Sequence, residues 1–142
     1  MNGELKYKDI TEKIIGASFE VHKFLGNGFQ EVIYQRCLAI EFRKAGLEFV
    51  REKDEIVYYE GEEVGNRRAD FIVEGDIIVE LKALINLEDV HLAQAKNYVV
   101  AYRLAVGLLI NWKYVLTIQK SIQSENRIRI YRIRGFSELE VV

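Results

Sequence analysis

The sequence predicts an α/β domain, a central mixed β-sheet flanked by α-helices. Three observations carry this. Two stretches near the start repeat apolar residues at helical spacing. The middle of the chain then switches to short runs of β-branched and aromatic residues bounded by turns. A further helical stretch separates two nearly continuous apolar runs of the kind found in the interior of a sheet.

The first helix is expected from about Asp9 to Leu25, where Ile10, Ile14, Ala17, Val21 and Leu25 share one side and Asp9 or Thr11 caps the start. Gly26-Asn27-Gly28 breaks it. A second helix is expected from about Phe29 to Ala45, with Ile33, Cys37, Ile40 and Phe42 apolar and Gly46 as its stop. Strands are expected at Leu47–Val50 and Ile56–Tyr59, with Gly61–Gly65 as a turn. Ala69–Val73 and Ile77–Ala83 are the next strands, the second nearly continuous in apolar character and therefore central. A third helix is expected from about Leu87 to Leu104, then a buried strand from Ala105 to Trp112, then edge strands at Val115–Gln119 and Arg127–Ile133.

Composition narrows the function. The 142 residues suit one domain, taken as 1–142, and 49% apolar residues are enough for a core. One cysteine, Cys37, excludes an internal disulfide framework and fits a reducing, cytoplasmic compartment. The first residues lack the apolar run of a signal peptide, and no stretch reaches a membrane span, so no membrane is expected. Net charge is −2, but residues 1–66 hold 9 Lys/Arg against 13 Asp/Glu and residues 67–142 hold 11 against 9. A nucleic-acid footprint would have to be a local basic patch.

Asp70, Glu80 and Lys82 stand inside the most apolar part of the chain. Glu80 and Lys82 are two apart on one strand and point to one face. Burying such charges costs several kcal/mol each unless they are paired or bind a metal. Whether Asp70 joins them depends on register. A two-residue turn at Gly75-Asp76 turns it away, whereas a three-residue loop, Glu74-Gly75-Asp76, sets it opposite Glu80. The odd loop, or an equivalent bulge, is the expectation. Adjacent carboxylates repel, and a hard divalent cation, Mg²⁺ or Mn²⁺, removes the repulsion and lowers the pKa of bound water. Lys82 would orient that water or stabilise charge on a phosphate. A solvated Glu–Lys pair on a surface hairpin is the structural alternative.

On the third helix Gln94 and Tyr98 share a face, with His91 one turn earlier. On the second, Glu31 either complements the helix dipole or supplies a third acidic group. Arg127, Arg129, Arg132 and Arg134 alternate with isoleucines as a phosphate-binding stripe or an edge guard. Arg67 and Arg68 would touch a phosphate or pair with Glu62 or Glu63. His22 could reach the site, but a satisfied histidine near a helix end is the plainer reading.

The stretch Val21–Tyr34, with Gly28, Glu31 and Tyr34, resembles the GxxExxY proteins, as do Arg68-Ala69-Asp70-Phe71, Ile78–Ala83 and Gly107–Asn111. The resemblance runs from about Ile10 to Trp112, with Asn27 where that family often has proline. That family is assigned to the PD-(D/E)xK nuclease superfamily, so the resemblance implies a restriction-endonuclease-like fold. It makes Asp70, Glu80 and Lys82 the core site, helped by Glu31 and the Leu81 carbonyl at the metal. It likens Gln94–Tyr98 to the QxxxY motif of the RecB-like branch. The expected function is metal-dependent hydrolysis of phosphodiester bonds in nucleic acid, DNA first. Catalysis would use Asp70, Glu80, Lys82, Glu31, Gln94 and Tyr98, and Arg67, Arg68, Arg127 and Arg129 would contact nucleic acid. Cutting both strands of a duplex would favour a homodimer. The rival readings are a module of the same fold that binds nucleic acid without cutting, and a protein-interaction module.

Overall fold

A computed structural model describes residues 3–83, 104–113, 116–124, 127–134 and 137–140. Among these, helices α1 (Gly3–Leu25) and α2 (Glu31–Lys44) precede strands β1 (Phe49–Tyr59), β2 (Glu62–Val73), β3 (Ile77–Lys82), β4 (Val106–Asn111), β5 (Thr117–Ser124), β6 (Arg127–Arg134) and β7 (Ser137–Glu140). The strands form one mixed sheet in sequence order, β1 to β7. Every neighbouring pair is antiparallel except β3 and β4, which run parallel. The third helix expected at Leu87–Leu104, with His91, Gln94 and Tyr98, lies almost wholly outside the described residues.

α1 begins earlier than the apolar period suggests, so Asp9 and Thr11 stand inside it rather than capping it. The Thr11 hydroxyl donates back to the Lys8 carbonyl and Asp9 pairs with Lys13 one turn on. Its stripe Ile10, Ile14, Ala17, Val21 joins Tyr34, Leu38 and Phe42 of α2 over one face of the sheet. That face supplies Phe71, Val73, Ile77, Val79, Leu81, Val106, Leu108, Ile110, Ile118 and Ile133. Each such side chain contributes about 1.5–3 kcal/mol on burial. Phe42, Phe49 and Phe71 meet edge-on with centroids 5.0–5.6 Å apart, fastening α2 to β1 and β2.

β1 and β2 are longer than expected. The segment Gly61–Gly65 is not a turn: the turn is Glu60-Gly61, and β2 starts at Glu62. Both turn residues have positive φ (50° and 83°), the geometry of a two-residue hairpin whose twist matches its strands. β3 pairs with β2 only from Phe71 to Val73, so residues 53–68 of the hairpin continue past that ladder as a largely exposed two-stranded ribbon. β5 and β6 are not edges. β5 lies between β4 and β6, β6 is covered over Tyr131–Arg134 by β7, and the outer described strands are β1 and β7.

Candidate active site

The β2–β3 loop decides the geometry. Val73 pairs with Ile77, leaving Glu74-Gly75-Asp76 as a three-residue loop, and Phe71 pairs with Val79. Gly75 has φ 74°, which a side chain would resist. The same register carried one step further sets Asp70 opposite Glu80. There the ladder stops and a side chain takes over. The Leu81 backbone N–H donates to Asp70 Oδ2 at 2.8 Å, filling with a carboxylate the place of the next strand-to-strand bond. In an extended strand a residue's N–H and C=O leave by the same edge, so the Leu81 carbonyl opens toward this gap as well. Beyond Leu81, the Lys82 carbonyl accepts from the Trp112 N–H at 3.0 Å and closes β3 on β4.

Asp70 is half-buried, and its Oδ1 accepts from Gln35 Nε2 at 3.2 Å. Glu80 is 3% exposed. Its carboxyl is pushed up to about 8 by burial and then by the charge of adjacent Asp70, to which it is also hydrogen-bonded; Arg67 and Lys82 pull the other way. Arg67 approaches Glu80 Oε2 at 4.0 Å, while Glu80 Oε1 is buried with no hydrogen-bond partner. Lys82, half-buried at the end of β3, follows Glu80 on the same face, opposite Asn111 of β4. A buried carboxyl that keeps its proton against a neighbouring carboxylate, and leaves one oxygen unsatisfied, is a site where a hard cation fits. The cation would replace the proton, satisfy the oxygen and cancel the repulsion.

This predicts a pH dependence in metal-free buffer. The unfolded chain titrates Glu80 near 4.5, whereas the folded protein holds the proton to about 8. Between these values the folded state carries the extra proton, so stability falls as pH rises through the window and levels off above it. Thermal melts with chelator should show this decline, and Glu80→Gln should flatten it. An equally steep decline in the variant would count against a raised Glu80.

Glu31 is exposed in the first turn of α2. Among the described residues no three of His, Cys, Asp and Glu gather tightly enough to hold a metal ion. Asp70 and Glu80 are therefore a pair, and Glu31 is not a third member of it in this structure. The residue of α2 that reaches Asp70 is Gln35, one turn on from Glu31. Sequence reading passed over it, although the four-residue step from Glu31 placed it on the same side of the helix.

The basic residues divide. Arg67 meets Glu80, and Arg68 pairs with Asp54 across the ribbon at 3.4 Å. The arginines of β6 do not form one stripe. Glu80 aligns with Leu109, Leu109 with Gln119 and Gln119 with Arg132, which puts Arg132 on the face of Glu80. Arg129, opposite Ile122, belongs to the other face, that of Ile133 and the helices.

The remaining motif residues are structural. The Tyr34 hydroxyl donates to the Gly26 carbonyl at 2.6 Å, and its ring stacks on buried Trp112 with centroids 4.5 Å apart. His22 Nε2 lies 3.1 Å from the Trp112 carbonyl oxygen, which satisfies it at the helix end. Cys37 is half-buried against the core. Tyr34→Phe should cost roughly 1 kcal/mol in denaturant unfolding, the worth of one such bond. No loss would mean that the hydroxyl does not anchor the α1–α2 connection.

A sequence model of the PD-(D/E)XK nuclease superfamily matches residues 8–124. Searches of curated proteins and of solved structures gave no match. The mixed sheet with its two described helices accords with a restriction-endonuclease-like α/β fold. Among the described residues no helix is long and apolar enough to cross a membrane.

Proposed function

Because the chain belongs to the PD-(D/E)XK nuclease superfamily, we propose that it hydrolyses phosphodiester bonds in DNA with Mg²⁺ or Mn²⁺ held by Asp70 and Glu80. The observation that carries this reading is the hydrogen-bonded carboxyl pair at the end of the β2–β3 ladder, with Glu80 buried and one of its oxygens unsatisfied. The bound cation would supply a water of lowered pKa and neutralise charge on the scissile phosphate. Asp70, held by Gln35 and the Leu81 N–H, keeps its carboxylate aimed at the gap. The Leu81 carbonyl offers a further oxygen. Lys82 orients the attacking water and stabilises charge developing on the phosphate. Glu31 would join through a bridging water, and Gln94 and Tyr98 would fix Lys82 or the phosphate.

Within the superfamily, Gly28, Glu31 and Tyr34 support the GxxExxY group, and the Gln94–Tyr98 spacing supports the RecB-like branch. Arg67, Arg68, Arg127 and Arg129 are the basic residues proposed to contact the nucleic acid, and Arg132, on the face of Glu80, joins them. Cutting both strands of a duplex favours a homodimer, and the single thiol supports a reducing, cytoplasmic setting.

The test is incubation of purified protein with supercoiled plasmid, linear duplex, single-stranded DNA and RNA, in Mn²⁺, Mg²⁺ or chelator. Metal-dependent cutting of DNA is expected. Tight, salt-sensitive binding indifferent to metal and without cutting would replace this reading by a non-cleaving nucleic-acid module.

A further inference from the structure

We propose that Phe24 and Phe29, on the connection between α1 and α2, stack on unpaired bases of the substrate strand beside the acidic pair, so that single-stranded or locally opened nucleic acid is preferred to continuous duplex. This rests on the nucleic-acid reading above and adds to it the form of the strand. Phe24 is 89% exposed, Phe29 44% and Val32 37%. A lone exposed apolar side chain is ordinary, whereas several on one short stretch of chain point to a contact. The connection that carries them is fixed. The Gly26 N–H donates to the His22 carbonyl at 2.8 Å, and the Gly26 carbonyl accepts from the Tyr34 hydroxyl at 2.6 Å. Gly26 and Gly28 pass through positive φ (69° and 98°). Phe24, so far in water, adds little to the packing of the fold, and a ring on a fixed loop loses little freedom when a flat ligand settles on it.

The loop stands at the rim of the acidic site. The Trp112 N–H donates to the Lys82 carbonyl at 3.0 Å. His22 reaches the Trp112 carbonyl and the Tyr34 ring lies on the indole, so the helices on both sides of the loop are fastened to the residue that holds Lys82. Phe29 meets Tyr34 edge-on with centroids 6.2 Å apart. Val32 is one turn before Gln35, the residue of α2 that reaches Asp70. A strand with its scissile phosphate at Asp70 and Glu80 therefore carries its neighbouring nucleotides toward these side chains. The bases are the flat, apolar part of that strand. In a duplex their faces are taken up by one another, and only an unpaired base is free to meet a ring. Every base has such a face, so the contact selects strandedness rather than sequence. Lys23, exposed beside Phe24, adds a charge for the backbone.

The experiment measures fluorescence anisotropy of labelled DNA in Ca²⁺ with wild type, Phe24→Ala, Phe29→Ala and Phe24→Trp. The probes are a short single strand, the same strand carrying abasic sites, and the blunt duplex. Wild type should bind the intact strand about ten-fold more tightly than the abasic one, the factor that one stacked base supplies. Phe24→Ala and Phe29→Ala should each lose roughly ten-fold on the single strand and little on the duplex. Phe24→Trp should keep wild-type affinity, and the melting temperature of Phe24→Ala should not change, since that ring is in water. Equal binding of intact and abasic strands by wild type overturns this inference, as does wild-type affinity in both alanine variants. Metal-dependent cutting by wild type in the same preparation would then leave the nuclease reading standing. A change in sedimentation of Phe24→Ala without a change in strand binding would give the ring to a second copy of the chain and also overturn it. A wild type that stacks the strand but never cuts with Mn²⁺ or Mg²⁺ removes the hydrolysis and keeps the platform.

Discussion

Lys82→Ala is expected to fold and to lose cleavage by about 10²–10⁴-fold, the loss typical when a positioned proton-handling or charge-stabilising group is removed. The side chain is half-buried at the end of β3, and the strand does not depend on it: the Lys82 carbonyl, which holds the Trp112 N–H, survives the substitution. Glu80→Gln should be equally inactive for a different reason. It removes the charge that a cation needs while keeping the shape of a buried group that already carries a proton at neutral pH without metal. Its stability in chelator should therefore equal or exceed that of wild type at pH 8. The two variants together separate chemistry from folding. Cleavage rates of purified protein and melting curves check both, and a Lys82→Ala protein that cuts at the wild-type rate would remove this lysine from the reaction.

Phe71→Ala should be the most damaging single substitution for stability, at roughly 3–5 kcal/mol. The ring is fully buried and touches Phe42 of α2 and Phe49 of β1 edge-on, so its loss opens a void where three elements meet. For a domain of this size the melting temperature should fall by roughly 10 °C or more. Phe71 is also the first residue of β2 paired with β3, immediately after Asp70. The void would therefore loosen the end of the ladder from which the acidic pair departs, and Phe71→Ala should weaken metal binding as well as lower the melt. Phe71→Leu refills much of the volume and should recover most of both. A drop below 1 kcal/mol in Phe71→Ala would show that the aromatic triad does not hold the sheet to α2.

The β2–β3 hairpin was legible because period-2 alternation and a glycine-centred loop act locally. With Glu74-Gly75-Asp76 as the loop, the register from Val73–Ile77 to Phe71–Val79 brings Asp70 to the level of Glu80, and the alternation of β2 breaks there, since Ala69 packs with Ile72 and Ile78. The ribbon was misread because its distal strands have no buried face. Residues such as Glu62, Glu63 and Gly65 carry no alternation, and their strand character comes from pairing with β1. β7, Ser137–Glu140, was missed because four residues are too few to show a period. The arginines of β6 were spaced correctly, but Tyr131 shifts the later pair by one position, and only the register across β4 and β5 tells the faces apart. Gln35 was invisible because nothing in a helix names its partner on a strand thirty-five residues away. That contact belongs to tertiary packing.

The sheet has one seam where successive strands run parallel. Six strand junctions join each strand antiparallel to its successor or, at β3–β4, parallel across the long excursion between Lys82 and Val106. Meanders on either side can zip from their own turns, with little closure entropy to overcome. The parallel seam must wait for the whole excursion to be spanned. Glu80 and Lys82 sit on that seam, each aligned with a residue of β4. Reactive capability is therefore withheld from the nascent chain until both meanders have emerged and docked, and a truncated product carrying only the first would have its acids but no rigid frame to aim them.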